Sequence, residues 1–351
     1  TDVPRFDHDP ATGERLGLLI EGQRTNFVPN SEDPSTWNLR EDMAYTGAME
    51  DRGLTFGEFT PSAGGGGTPL IVDGVFINFT PTATGEHHGA VVLKSNGIRK
   101  VVVRRITSFS DETFIAGIDL ENGTLESVNG SLAGKLTELG DGYYLFQYPF
   151  TINTTSVSGY QVSPLDTTDS DGVNSFYAAA YQYELGAFST SYIPTNGAAA
   201  ARSADTAAID PLTPWFAATP NMTLFCDWIP RAVPSTSTRW HMLRLGGSLI
   251  NGQYGFYNTM NGIARDGDGN LEITNFTYSK GELMKTALLI RDGVVFFGVD
   301  GVLEESYVSG NNAVNSTFLV LGGGATVAGH LQDVLFYPHA LSDEEVLEGI
   351  S

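Results

Sequence analysis

The sequence has a single cysteine, Cys226, so no disulfide can form within it. That excludes the disulfide frameworks of small secreted domains and leaves apolar packing to hold the chain. Cys226 lies in the apolar run 222–229, where a small buried hydrophobe is the expected role, and no plausible base accompanies it as a nucleophile would require. Positive charge is scarce: 19 Lys and Arg stand against 41 Asp and Glu, a net charge of −22. A surface of that sign repels phosphate backbones, which excludes nucleic acid as a partner. Long apolar runs are missing. None reaches the ~18 residues needed to cross a bilayer, so no membrane insertion is expected. The opening TDVPRFDHDP carries no signal-peptide core, and an extracellular role would use another route out, such as release by lysis.

What is present is the composition of strands joined by turns: 41 glycines, with Ser, Thr and Asn recurring throughout. At 351 residues the chain exceeds one ordinary domain, and two cores are expected. Strand candidates recur at 70–79, 89–94, 100–107, 113–120, 143–151 and 175–185, the spacing of a sandwich. The tetraglycine 64–67 reads as a loop, and so does the glycine-flanked pair His87-His88. The segment 195–208, TNGAAAARSADTAA, carries no aromatic residue and is taken as the domain boundary, although its alanines could also start a short helix. Beyond it, 288–290, 294–299 and 302–308 are separated by Arg291-Asp292-Gly293 and Asp300-Gly301, turn signals that predict an antiparallel meander. A last strand over 329–337 stops at Pro338, and Ser342 with Glu345 forms a capping pattern for a terminal helix.

Three segments carry a resemblance. RFDHDPATGERLGLLIEGQRTN over 5–26, followed by Ser31-Glu32-Asp33 and Trp37, resembles a leader found in structural proteins of tailed bacteriophages. It departs at Phe27-Val28, where paired leucines are usual, and at Pro34, where an aromatic is. Asp141 to Tyr144, and then YQYELGAFSTSYIPT over 181–195, look like the later strands and exit of the same module, with Tyr143 in place of Trp and Tyr183 in place of a small aliphatic. The resemblance implies a jelly roll similar to carbohydrate-binding modules. The third segment, 222–351, is similar to concanavalin A-like and laminin G-like sandwiches, carried by the hairpin 294–302, LVLGG over 319–323 and GHLQDVLFYPHALSD over 329–343. The expected architecture is therefore all-β: an extended leader (1–26), a jelly roll (27–204), and a concanavalin A-like or laminin G-like sandwich (205–351) with a short C-terminal helix.

Concanavalin-fold glycoside hydrolases place nucleophile and acid on one strand as E-x-D-x-x-E, roughly 5 Å apart. No glutamate here has an aspartate two positions later, and no H-E-x-x-H, G-x-S-x-G or Walker loop occurs, so the expectation is a protein without catalysis. Sugar recognition needs exposed aromatic rings flanked by amides and carboxylates. The candidates are Tyr144 and Tyr148 on one strand face, Tyr181 and Tyr183 with Tyr177 on another, and Trp240 and Tyr257 in the second domain; each face could equally be core. The module resemblance also implies a structural calcium, with Glu32 and Glu184 as its ligands. Asp266, Asp268 and Asn270 have the first spacings of a calcium loop, but Leu271 replaces its glycine and a hairpin turn is the better reading. The functional expectation is a virion protein, a tail or fibre component, extracellular after release, that binds host cell-surface glycan alongside other virion proteins, as a homo-oligomer with a trimer favoured. Its rivals are a purely structural decoration or connector protein and a polysaccharide-degrading enzyme with an unrecognised site.

Overall fold

A computed structural model of the chain describes residues 4–9, 12–40, 42–63, 74–108, 111–153, 158–165, 171–209, 221–231, 240–246, 254–258, 263–265, 272–275, 279–292, 294–306, 318–320 and 328–351. It divides into two compact units: Arg24–Arg202, and a discontinuous unit built from Thr1–Gln23 with Ser203–Ser351. Antiparallel sheets dominate both, and the described helix of any length is the one at the C-terminus, so the chain is all-β.

The 24–202 unit contains β3 (Arg24–Asn26), β4 (Asn38–Arg40), β5 (Met43–Asp51), β6 (Leu54–Pro61), β7 (Gly74–Phe79), β8 (Gly85–Asn96), β9 (Lys100–Ser108), β10 (Asp111–Asp119), β11 (Thr124–Glu126), β12 (Lys135–Gly140), β13 (Tyr143–Ile152), β14 (Ser158–Pro164), β15 (Ser175–Leu185) and β16 (Ala200–Arg202). They form two six-stranded sheets, ordered β11-β10-β9-β14-β7-β4 and β12-β13-β8-β15-β6-β5, plus the pair β16-β3. Alternation along each strand sends every second side chain inward. Val75, Ile77, Val101, Val103 and Tyr160 of the first sheet thus meet Phe59, Val91, Leu93, Phe146 and Phe176 of the second in one core. At ~1.5–3 kcal/mol for each large apolar side chain buried, this core dominates the unit's stability. Asp141-Gly142, with φ of 53° and 75°, closes β12 onto β13 as a two-residue turn that suits the strand twist. His87 and His88, expected in a loop, lie within β8, where the ring of His87 is buried against Phe150. The glycines flanking them serve the strand itself: a Cβ on Gly89 would sit 2.4 Å from the ring of Tyr148.

The discontinuous unit holds β1 (Phe6–His8), β2 (Arg15–Glu21), β17 (Ala208–Ile209), β18 (Met222–Pro230), β19 (Trp240–Gly246), β20 (Tyr254–Asn258), β21 (Ile263–Arg265), β22 (Glu272–Asn275), β23 (Met284–Arg291), β24 (Val294–Val299), β25 (Val302–Ser306), β26 (Phe318–Val320), β27 (Ala328–Tyr337) and the helix α1 (Asp343–Gly349). One sheet runs β1-β2-β27-β18-β23-β24-β25 and the other β17-β26-β19-β20-β21-β22. The expected meander is present: Asp300 and Gly301, at φ of 42° and 83°, turn β24 into β25. The predicted capping box is present too, with Ser342 Oγ accepting from the Glu345 amide and the Glu345 carboxylate accepting from the Ser342 amide. Cys226 is buried, and burial pushes its thiol pKa up.

Residues of the expected extended leader, 1–26, form strands of two sheets. β2 pairs with β27, Leu18 opposite Leu331 and Glu21 opposite Ala328, so these residues complete a sheet whose other strands lie some 200 to 300 positions later. Gly17 shows why the run reads LGLLI. Its φ is 109°, and a Cβ there would lie 2.3 Å from the Leu331 carbonyl oxygen. Asp7 holds His330 at 2.8 Å, and Arg5 bridges the buried Glu21 and Asp205.

Candidate functional site

Tyr144, Tyr148, Tyr181 and Tyr183 do not form a sugar platform. All four point into the core of the 24–202 unit and are buried. Tyr148 and Tyr183 meet at their hydroxyls, 3.3 Å apart, and rings of Phe79, Phe150 and Tyr160 pack around them. Tyr177 does not share their face, contrary to simple alternation. A bulge between Ala179 and Gln182, with Ala180 at φ 52°, inserts an extra residue into β15 and inverts the parity, so Tyr177 points outward while Tyr181 and Tyr183 point inward. Trp240 and Tyr257 belong to β19 and β20, but their side chains lie outside the described residues, as do Asp266, Asp268, Asn270 and the tetraglycine.

Glu184 and Glu32, the expected calcium ligands, lie in different surroundings. Glu184 is buried on the outer side of β15, where its carboxylate accepts from the Thr190 amide at 2.7 Å and from the Thr190 hydroxyl. Burial raises its pKa, and Thr190, Arg24 and Arg202 oppose that rise. Both of its oxygens accept hydrogen bonds from Thr190. Glu32 is exposed, and its amide donates to the Thr195 carbonyl at 3.4 Å. Among the described residues no group of three or more His, Cys, Asp or Glu side chains that could hold a metal ion is found.

The face that remains is the outer side of the second sheet, opposite the core. Register places Glu58, Tyr177, Lys94 and Tyr143 in one row across β6, β15, β8 and β13. A second row, Met49, Phe56, Ala179, Val92 and Leu145, lies beside it, and these residues form an apolar cluster separate from the core. At one end the strap 189–195 crosses the face: Gln182 Oε1 accepts from the Ile193 amide at 2.6 Å, and Gln182 Nε2 donates to the Thr190 and Ser191 carbonyls. At the other end the row is open, with Tyr177, Lys94 and Glu58 half-buried and Asn96 exposed.

The polar groups along this row are ordered. Glu58 Oε1 accepts from Asn96 Nδ2 at 2.9 Å and from Ser175 Oγ at 2.7 Å. Tyr143 is buried against Phe56, donates its hydroxyl to Asp51 at 2.5 Å, and carries Lys94 Nζ 4.0 Å above its ring centroid. Burial and the Asp51 carboxylate push the Tyr143 phenol up to about 12, and the same hydrogen bond holds the Asp51 pKa below the usual carboxylate range. At neutral pH the pair is a neutral donor on a fixed anion, which can orient a ligand. A general acid would need the opposite shift at Asp51. Sequence reading placed Tyr177 on one face with Tyr181 and Tyr183 and did not name Tyr143 as a candidate. The signal was available for Tyr143, because Tyr144, Phe146 and Tyr148 cannot face the core unless Tyr143, Leu145 and Gln147 face away.

No protein-family model matches the chain, and no curated protein matches it. Among solved structures it is similar to the CBM40 of Ruminococcus gnavus IT-sialidase bound to alpha2,3 sialyllactose, at 14% identity over 42% of this chain and 93% of that one, with a TM-score of 0.32. Domain 4 of an extracellular GH43 arabinanase from Geobacillus stearothermophilus, in complex with arabinotriose, matches at 12% identity over 38% of this chain and 68% of the other (TM-score 0.32). Trypanosoma rangeli sialidase matches at 12% identity over 92% of this chain, which spans 54% of that enzyme (TM-score 0.34). None of these likenesses assigns a ligand or a reaction to this chain.

Proposed function

We propose that the chain is a non-catalytic protein of a tailed-phage virion, exposed on the particle, whose 24–202 unit binds host-surface glycan on the outer face of its second sheet. The virion assignment rests on the leader resemblance. The glycan assignment rests on one observation, the half-buried Tyr177 flanked in its row by Lys94 and Glu58, with Asn96 at the open end. A pyranose ring presents C–H groups to an aromatic face and hydroxyls to its rim, and this row offers a ring with an ammonium, a carboxylate and an amide around it. Assembly as a homo-oligomer, a trimer by preference, alongside other virion proteins would multiply a weak single-site affinity. An array of bacterial surface glycans probed with the native protein is the test. Tyr177→Ala should weaken binding by about 1–2 kcal/mol, about five- to thirtyfold in Kd, because it removes the stacking surface. Unchanged binding in that variant would sink the site, and turnover of a bound glycan that disappears in Glu58→Gln would sink the non-catalytic reading.

A second reading, a purely structural virion component, is favoured by the burial of Tyr144, Tyr148, Tyr181 and Tyr183. An array with no bound glycan would decide for it.

A further inference from the structure

The discontinuous unit carries a cleft of about 530 Å³ between α1 and the outer face of β18 and β27. Its floor follows from strand register: Phe225 lies opposite Leu335, and Asp227 lies opposite Asp333, all on the face that α1 covers in part. Phe225 is closed off by the helix end, since a Cβ on Gly349 would stand 2.6 Å from its ring. Leu335 is 54% exposed on an inner strand of a seven-stranded sheet, with the edge of the Phe225–Tyr337 ring pair beside it. Glu345 and Glu348, one turn apart on α1, form the acidic wall.

We propose that this cleft docks a lysine- or arginine-bearing segment of a partner protein. Two observations select that occupant. The apolar strip at Leu335 and Tyr337 suits the methylene stem of a long basic side chain, which lies on apolar surface while its charged head reaches polar groups. The lining carries four carboxylates, Asp227, Asp333, Glu345 and Glu348, and no lysine or arginine; Glu345 also caps α1 through Ser342. Two like charges directly opposite on neighbouring strands are destabilising, and a cation between Asp227 and Asp333 removes that repulsion. Burial and the neighbouring Asp333 and Asp300 raise the Asp227 pKa, with Lys285 opposing them. Lys285 lies opposite Asp227 on β23 and offsets part of this charge, while its Nζ donates to the Ser351 carbonyl at 2.5 Å; Arg291 pairs with Asp343 at 2.8 Å. A second copy of this chain is the poorer occupant, because a molecule of net charge −22 brings more carboxylates to an acidic cleft.

The test uses the full chain and two labelled probes, a short peptide alternating lysine with leucine and its counterpart alternating glutamate with leucine, read by fluorescence anisotropy. The lysine peptide binds and the glutamate peptide does not. Asp227→Asn with Asp333→Asn, nearly isosteric, weakens binding by about tenfold or more, and Leu335→Ala weakens it severalfold. A charge-matched control, Glu50→Gln with Glu138→Gln on the other unit, leaves binding unchanged. Three results would each overturn the proposal: no binding of the lysine peptide, equal weakening by the cleft pair and the control pair, or indifference to Leu335→Ala. Self-association by sedimentation that disappears with Leu335→Ala would give the cleft to a second copy and overturn it as well.

Discussion

Asn26 sits in the leader motif with no obvious chemistry, yet it ties three segments of the 24–202 unit together. Its Nδ2 donates to the carbonyls of Tyr181 and Ile193, and its Oδ1 accepts from the amides of Val28 and Tyr183. Every hydrogen-bonding valence of this buried amide is used. Removing it strands backbone groups that water cannot reach, and each orphan costs about 1–3 kcal/mol. Asn26→Ala is therefore expected to destabilise the unit by about 2–4 kcal/mol in chemical denaturation. Asn26→Asp should be at least as damaging, because it keeps the acceptor but points charge at two carbonyls. A denaturation midpoint unmoved by either change would show that the network is dispensable. Ser31 does similar work nearby, its hydroxyl joining Tyr192 Oη at 2.7 Å and the Thr195 amide at 3.0 Å. The sequence displays these residues as a motif. Their role as braces becomes visible only when 181–195 is folded back onto 26–31, since spacing along the chain says nothing of that contact.

At the scale of elements, strands were the legible part. The run 175–185 coincides with β15, and 143–151 falls one residue short of β13, because alternation is a local property. The bulge at Ala180 was not legible, since an extra residue is defined against its partner strand, and it decides which tyrosines of β15 face outward. The pairing of β2 with β27 was hidden for the same reason: its partner lies about 300 residues away. That pairing has a titratable contact at Asp7 and His330. Burial lowers the His330 pKa from its ordinary 6.5, and the hydrogen bond to Asp7 opposes the shift. A base whose folded pKa is depressed contributes stability that is fully present above 6.5 and is lost as pH falls through the folded value. By NMR, the His330 ring should titrate below 6.5, and lower still in Asp7→Asn. Protection of the Leu19 amide, bonded to the Arg5 carbonyl at 2.7 Å, should weaken over the same acid window. A midpoint at or above 6.5, or one that rises in Asp7→Asn, would contradict this account.

For the whole molecule, the chain order differs from two beads on a string. The 24–202 unit is inserted into the other, and its first and last strands, β3 and β16, pair with Arg24 opposite Arg202. In the discontinuous unit, Glu21 and Asp205 exchange bonds on the far side of the insertion: the Asp205 amide donates to the Glu21 carbonyl at 2.8 Å and the Glu21 amide to the Asp205 carboxylate at 2.9 Å. Both junctions therefore bring the two passes of the chain side by side, and each unit closes on itself. Residues 24–202 expressed alone should melt cooperatively. Residues 205–351 alone should not match the joined chain 1–23 plus 203–351, connected by a short flexible linker that costs little closure entropy. They lack β1 and β2, the buried Leu19 and Ile20, and the Asp7 contact to His330. Two large apolar side chains at ~1.5–3 kcal/mol each, with a sheet edge left unpaired at β27, set the expected loss at several kcal/mol. Thermal unfolding of the two versions measures it. Equal melting temperatures would mean that the first 23 residues decorate the sheet without holding it.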